Sequence, residues 1–237
     1  MKLQRKGTRH SHRGVIGVES AIVMIAFVIV AAALAFVVLN MGFTTSQKAK
    51  TSIISGLGEA SSSMQVAGKV IGSGYKNAAT PVLNATAFPI KVSSGGDNIN
   101  LEALTTAVKY ASNTLDYGDI YVGTLTGEFK SLSSAAAQAN TDTDSGNESF
   151  SDIDDDPFAV GGDAPSNTRA FIYFTQEVTS NDILEQGETA VLAIIYASAD
   201  RPQALDKIKA EIITPTGAAL TVERQVPTIT TSVVDLG

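Results

Sequence analysis

The feature that most constrains this chain is a run of 20 uncharged, mostly apolar residues, Ser20 to Leu39, directly behind a short basic leader. Wound as a helix at about 1.5 Å per residue, the run is about 30 Å long, the thickness of a bilayer's hydrocarbon core. Between Glu19 and Lys48 no side chain carries a formal charge. Such a segment can span a membrane only as a helix, because lipid offers the backbone no hydrogen-bond partners. The leader holds Lys2, Arg5, Lys6, Arg9 and Arg13 and no acid. A basic flank ahead of a spanning helix stays cytoplasmic, so the body of the chain is expected to face outward.

That body is acidic. Without residues 1–14 the balance of 17 basic against 24 acidic residues becomes 12 against 24, a net charge of −12 in place of −7. Nucleic acid is excluded as a partner, since its binding depends on Lys and Arg neutralising phosphates. There is no cysteine and no tryptophan, and both histidines, His10 and His12, lie in the leader. Without the leader, imidazole general bases, Ser-His and Cys-His nucleophile pairs and the usual zinc ligand sets are therefore missing. No nucleotide-binding loop is present either. No cofactor is expected, and the chain reads as a non-enzyme.

The junction Arg13-Gly14, followed by Val15-Ile16-Gly17-Val18-Glu19-Ser20-Ala21-Ile22-Val23, resembles the class III signal peptide shared by type IV pilins and archaellins, the filament proteins of the archaeal swimming organelle. The resemblance implies a cut between Gly14 and Val15 by a prepilin-like signal peptidase. Glu19 would then be fifth in the mature chain, where the family carries an acidic or polar residue. Because the cut precedes the apolar run, the mature chain keeps it and uses it to pack against other copies in a helical filament. Further implied are a precursor in the cell membrane, a membrane assembly platform and a motor made of other proteins. Two readings without a filament stay open at this point. A conventional secretory signal would use small residues such as Ala31-Ala32-Ala33, and a single-pass anchor would keep its leader.

Beyond the membrane-length part, Ile53, Leu57, Ala60, Met64, Ala67 and Ile71 recur at steps of three and four, one face of a helix. The expected first element is therefore a single helix from Val15 to about Ala67, within a helical region 15–71. Gly68, Gly72 and Gly74 read as its stop. From 75 to 237 short β-branched and aromatic segments alternate with Gly, Pro, Asn and Ser. Expected strands are Ala87 to Val92, Ala170 to Thr175, Ala190 to Tyr196, Ala210 to Thr214, Ala219 to Gln225 and Thr228 to Leu236. Ile120 to Leu125 is a weaker candidate, and Leu101 to Tyr110 is ambiguous between helix and strand. The expected fold class is α+β, a long apolar N-terminal helix followed by an antiparallel, Ig-like β-sandwich.

An acidic stretch at about 131–168, with no basic residue between Lys130 and Arg169, is expected to be a loop. Asp142, Asp144, Asp154 and Asp156 are weak calcium candidates, since Asp142-Thr143-Asp144-Ser145-Gly146 lacks the EF-hand's third ligand before the glycine and its closing glutamate. Asn84-Ala85-Thr86 and Asn147-Glu148-Ser149 fit the N-glycosylation pattern.

The C-terminal part adds to the resemblance. Leu184-Glu185-Gln186-Gly187-Glu188 before the apolar run Ala190 to Tyr196, and Ile212-Ile213-Thr214-Pro215-Thr216-Gly217 through Pro227, resemble the archaellin turn into a core strand and its closing hairpin. The cleavage residues are thus Arg13, Gly14 and Val15, and the assembly residue is Glu19, one helical turn from the new amine of Val15. Glutamate at that position is more frequent in adhesive type IV pilins, which are the alternative to a swimming filament.

Overall fold

The computed structural model describes residues 13–61, 64–76, 80–141, 158 and 165–237. The chain divides into two compact units, one ending at Ser55 and the other running from Gly56 to Gly237.

The first helix, α1, covers Arg13–Ser61. It contains no proline, and its apolar part is built from Ala, Ile, Val, Leu, Met and Phe. The polar part that follows keeps its hydroxyls satisfied within the helix: Thr44 donates to the Asn40 and Met41 carbonyls, and Thr51 to the Gln47 carbonyl at 2.9 Å. Back-bonding of this kind lets Thr sit inside a helix without an orphan donor.

The second unit is a two-sheet sandwich. Its first sheet follows the order β13 (Val233–Asp235), β2 (Ile71–Tyr75), β3 (Val82–Val92), β10 (Thr189–Ile195), β8 (Arg169–Gln176) and β7 (Tyr121–Glu128), with β1 (Met64–Val66) also paired to β3. The second follows the order β12 (Leu220–Gln225), β11 (Lys207–Ile213), β5 (Ala107–Ser112) and β6 (Asp116–Tyr117). A short ribbon joins β4 (Ile99–Asn100) to β9 (Ile183–Leu184).

Between the sheets, Phe88, Ile90, Ile172, Phe174, Leu192 and Ile194 from the first meet Val108, Tyr110, Ile208, Ile212 and Val222 from the second, all buried. The register puts Leu192 opposite both Phe88 and Ile172. The other face of the first sheet carries Ala85, Ala87, Phe171, Tyr173, Val191, Ala193 and Ile195, which are also buried, with Ala135, Ala136 and Ala139 of a second helix, α2 (Leu132–Thr141). The central strands are therefore covered on both sides. This is why they read as continuous apolar runs instead of alternating ones.

The sandwich and its six principal expected strands are present, within a few residues of their expected limits except at the C-terminus. There the expected strand Thr228 to Leu236 shrinks to Val233–Asp235, which crosses to pair with β2. The ambiguous segment resolves into a loop and β5.

Three expectations are corrected. First, the helical region does not reach residue 71, since α1 ends at Ser61 and Met64–Val66 is already a strand. Met64 and Ile71 are seven residues apart, a spacing that suits a helix face and also falls on unrelated positions in two strands. Second, Gly72 and Gly74 do not stop a helix. They lie in β2, where a Cβ on Gly74 would come within 2.5 Å of the Thr231 carbonyl and one on Gly72 within 3.0 Å of Leu83. At Gly74 the close backbone approach requires glycine, whereas at Gly72 the crowding comes from the Leu83 and Leu236 side chains. Third, the stretch 131–168 is not all loop. Leu132, Ala135, Ala136 and Ala139 follow a helical spacing and pack on the sheet, and Ser131 caps α2 by accepting from the Ser134 N–H at 3.2 Å. As the crossover between β7 and β8, this segment makes that pair parallel in an otherwise antiparallel sheet.

Candidate assembly surface

Residues 17–57 of α1 are all exposed, including Phe27 at 76% and Met24 at 71%. An apolar surface on every side of a helix is stable in water only when something covers it, be it lipid or other helices. Gly17 to Leu57 is long and apolar enough to cross a membrane. The glycines at 17, 42 and 56 have open space around them within the chain, so neighbours can approach the helix closely there.

The helix begins before the expected cleavage point, with Arg13, Gly14 and Val15 in its first turn. Residues 1–12 lie outside the described residues. Glu19 is exposed one turn further along. Among the described residues it makes no ion pair.

In the β unit several carboxylates are structural acceptors. Glu188 is 1% exposed, and its Oε1 accepts the Val178 and Thr179 N–H groups at 2.8 and 3.1 Å while Oε2 accepts the Glu185 N–H at 2.8 Å. The bend needs Gly187 at φ +97°. Glu188 thus ties the β8–β9 and β9–β10 connections together. The sequence marks the turn, but nothing in it announces a buried carboxylate. Asp200 accepts the Tyr117 hydroxyl at 2.8 Å and the Thr168 hydroxyl at 2.6 Å, and Thr168 in turn accepts the Ala197 N–H. Asp182 holds Thr124. Lys69 pairs with Asp235, which raises the lysine's pKa and lowers the aspartate's through that shared hydrogen bond. Burial pushes the Tyr173 and Tyr196 phenols up to about 12. Tyr110, against Tyr196 at 5.4 Å between ring centroids, is raised further by burial.

Among the described residues no group of three or more His, Cys, Asp or Glu side chains could hold a metal ion. The calcium candidates Asp142, Asp144, Asp154 and Asp156 lie outside the described residues, as does Asn147. Asn84 is only 4% exposed within β3. The folded domain therefore leaves its side chain little surface for a glycan.

The archaeal-type flagellin family model matches residues 14–224. A probable flagellin from Aeropyrum pernix is 35% identical over 219 residues, covering 91% of this chain and 92% of that protein. Flagellin FlaB2 from Saccharolobus shibatae is 32% identical over 129 residues, covering 52% of this chain and 41% of its own length. Among solved structures, the archaeal flagellum of Methanospirillum hungatei aligns with a TM-score of 0.58 at 22% identity, over 93% of this chain and 99% of that one. Flagellin FlaB1 from Methanocaldococcus jannaschii aligns with a TM-score of 0.54 at 15% identity, over 74% of this chain and 96% of that one.

Proposed function

Because the chain belongs to the archaeal-type flagellin family, we infer that it is a structural subunit of the archaeal swimming filament, assembled through α1. The observation that carries this reading is the helix surface, apolar and exposed on all sides from Gly17 to Phe43. The adhesive pilin shares the leader but is not favoured, since the family matched and the relatives named above are flagellins.

The mechanism follows from the solvents the helix meets. In the precursor, the apolar part of α1 lies in the membrane. A prepilin-like peptidase cuts between Gly14 and Val15, and an assembly platform moves the helix from lipid into a core of parallel copies. Its backbone is already internally bonded, so the transfer exposes no unpaired N–H or C=O. Outside the cell, return to water would expose apolar surface at about 25 cal/mol per Å². The core is therefore held by the hydrophobic effect once formed. The β unit forms the hydrated outer layer, and torque comes from a motor of other proteins. The role is structural, and the buried carboxylate Glu188 is spent on backbone N–H groups. Asn147 and the largely buried Asn84 are the glycosylation candidates, and Asp142, Asp144, Asp154 and Asp156 are weak calcium candidates. Glu19 is the assembly residue, because an ionised carboxylate in an apolar core requires a cation beside it.

Deleting the gene and scoring swimming together with filaments by electron microscopy tests this reading. Loss of swimming and of the filament is expected. Loss of surface attachment with swimming intact would assign the chain to the pilins.

A further inference from the structure

Between Gly17 and Leu57 the helix carries three formal charges, Glu19, Lys48 and Lys50. All three are exposed, and among the described residues none has an ion-pair partner. On a helix of about 3.6 residues per turn, positions i, i+3, i+4 and i+7 share a face. Counted from Glu19, these are Ile22, Val23 and Ala26. Counted from Lys50, they are Ile53, Ile54 and Leu57. The two faces repeat one pattern with opposite charge, and the large Leu57 in one corresponds to the small Ala26 in the other. Lys48 sits about 200° from Lys50 around the axis, on the far side of the helix.

We propose that, in the filament reading on which this rests, the Glu19 face of one copy docks on the Lys50 face of a second, parallel copy displaced along the axis by 31 residues, the difference between positions 50 and 19. The displacement is about 46 Å. At that stagger Ile22 is level with Ile53, Val23 with Ile54, and Leu57 projects over Ala26. Residues 15–30 of one mature copy then overlap residues 46–61 of the other, a little over four turns of contact. A second copy is the occupant because the charges are complementary and the apolar positions fall in register without adjustment.

The pairing also gives the stagger a physical meaning. Copies lying side by side at equal depth in a membrane bring Glu19 against Glu19, which repels. The opposite charges meet only after one helix has moved axially past the other. The pair therefore selects the assembled register, a role buried polar contacts fill better than that of net stabiliser. The amine created at Val15 is a competing partner for Glu19, and the experiment separates the two.

The chain has no cysteine, so disulfide trapping is clean. In the full-length chain produced in its host, an Ile22→Cys/Ile53→Cys double variant should give dimers and higher ladders when isolated filaments are oxidised. An Ile22→Cys/Gln47→Cys control, off level by about 9 Å, should not. In parallel, Lys50→Glu should lower filament yield about tenfold or more, and adding Glu19→Lys should restore most of it, as expected for a charge pair read by reversal. Lys48→Glu should leave yield unchanged. The mature mass of each variant checks cleavage, and if Glu19→Lys blocks it, the ladder and Lys50→Glu decide. Equal ladders from both cysteine pairs, wild-type yield in Lys50→Glu, or equal damage from Lys48→Glu would overturn the proposal and leave the Val15 amine as the partner. If the wild-type chain formed no filament, the filament reading itself would fall, and the pairing with it.

Discussion

Replacing Glu188 by glutamine tests whether one buried carboxylate holds the β unit's loops. Its two oxygens accept three backbone N–H groups, from Val178, Thr179 and Glu185, at 2.8 to 3.1 Å. Glutamine keeps one acceptor oxygen, so Val178 and Thr179 retain a neutral partner. Its NH₂ then faces the Glu185 N–H, donor against donor. Losing one charge-assisted bond costs about 1.5–3 kcal/mol, and neutralising the acceptor of the other two costs roughly 0.5 each. The expected loss is about 3 kcal/mol. For a domain of this size, at about 2–4 °C per kcal/mol, the melting midpoint should fall by about 6–12 °C. The assay is thermal unfolding of residues 64–237, followed by circular dichroism. The fragment starts at 64 because β1 and Ile71 belong to the first sheet. A midpoint within about 2 °C of wild type would refute the reasoning, since it would mean that water replaces all three bonds at no cost.

Three other outcomes are expected. Gly74→Ala should destabilise the same unit by about 1–3 kcal/mol or prevent its folding, because the new methyl meets the Thr231 carbonyl at 2.5 Å and Ile229 at 2.7 Å; denaturant titration measures it. At alkaline pH the unit should weaken: with Tyr196 raised to about 12 when folded and titrating near 10 when unfolded, its contribution is intact below about pH 10 and is lost as pH rises toward 12. Between pH 9 and 11.5 the loss amounts to about 2 kcal/mol, read from denaturant midpoints at the two pH values. Gly14→Leu should leave the leader attached and keep the chain out of filaments, visible as a higher mass in the membrane fraction.

How much of this was legible in the sequence depended on which physical signal each element carries. The apolar helix was legible because nothing competes with 28 consecutive uncharged residues between Glu19 and Lys48. The central strands are legible as continuous apolar runs, yet the cause of that continuity, α2 covering the second face, is not evident from those runs. Its signal was present in the spacing of Leu132, Ala135, Ala136 and Ala139, but the charged, low-complexity residues around it drew the whole stretch into a loop. Gly72 and Gly74 are ambiguous because glycine serves both as a helix terminator and as a strand position where neighbouring atoms leave little room for a Cβ, and local sequence does not distinguish these. Asn84 matched an acceptor motif, but three letters carry no information about burial, which only the pairing of β3 with its neighbours decides. Glu188 was similarly hidden, since its partners lie in two connections that meet only in the fold.

The central claim is that α1 is the assembly element and the β unit the exterior. A helical reconstruction of filaments isolated from cells making this protein, with mass spectrometry of the same filaments, tests it most directly. The account predicts a core of parallel α1 helices beginning at Val15, surrounded by β-sandwich units. A subunit that begins at Met1, or filaments whose core is built from the β units, would contradict it.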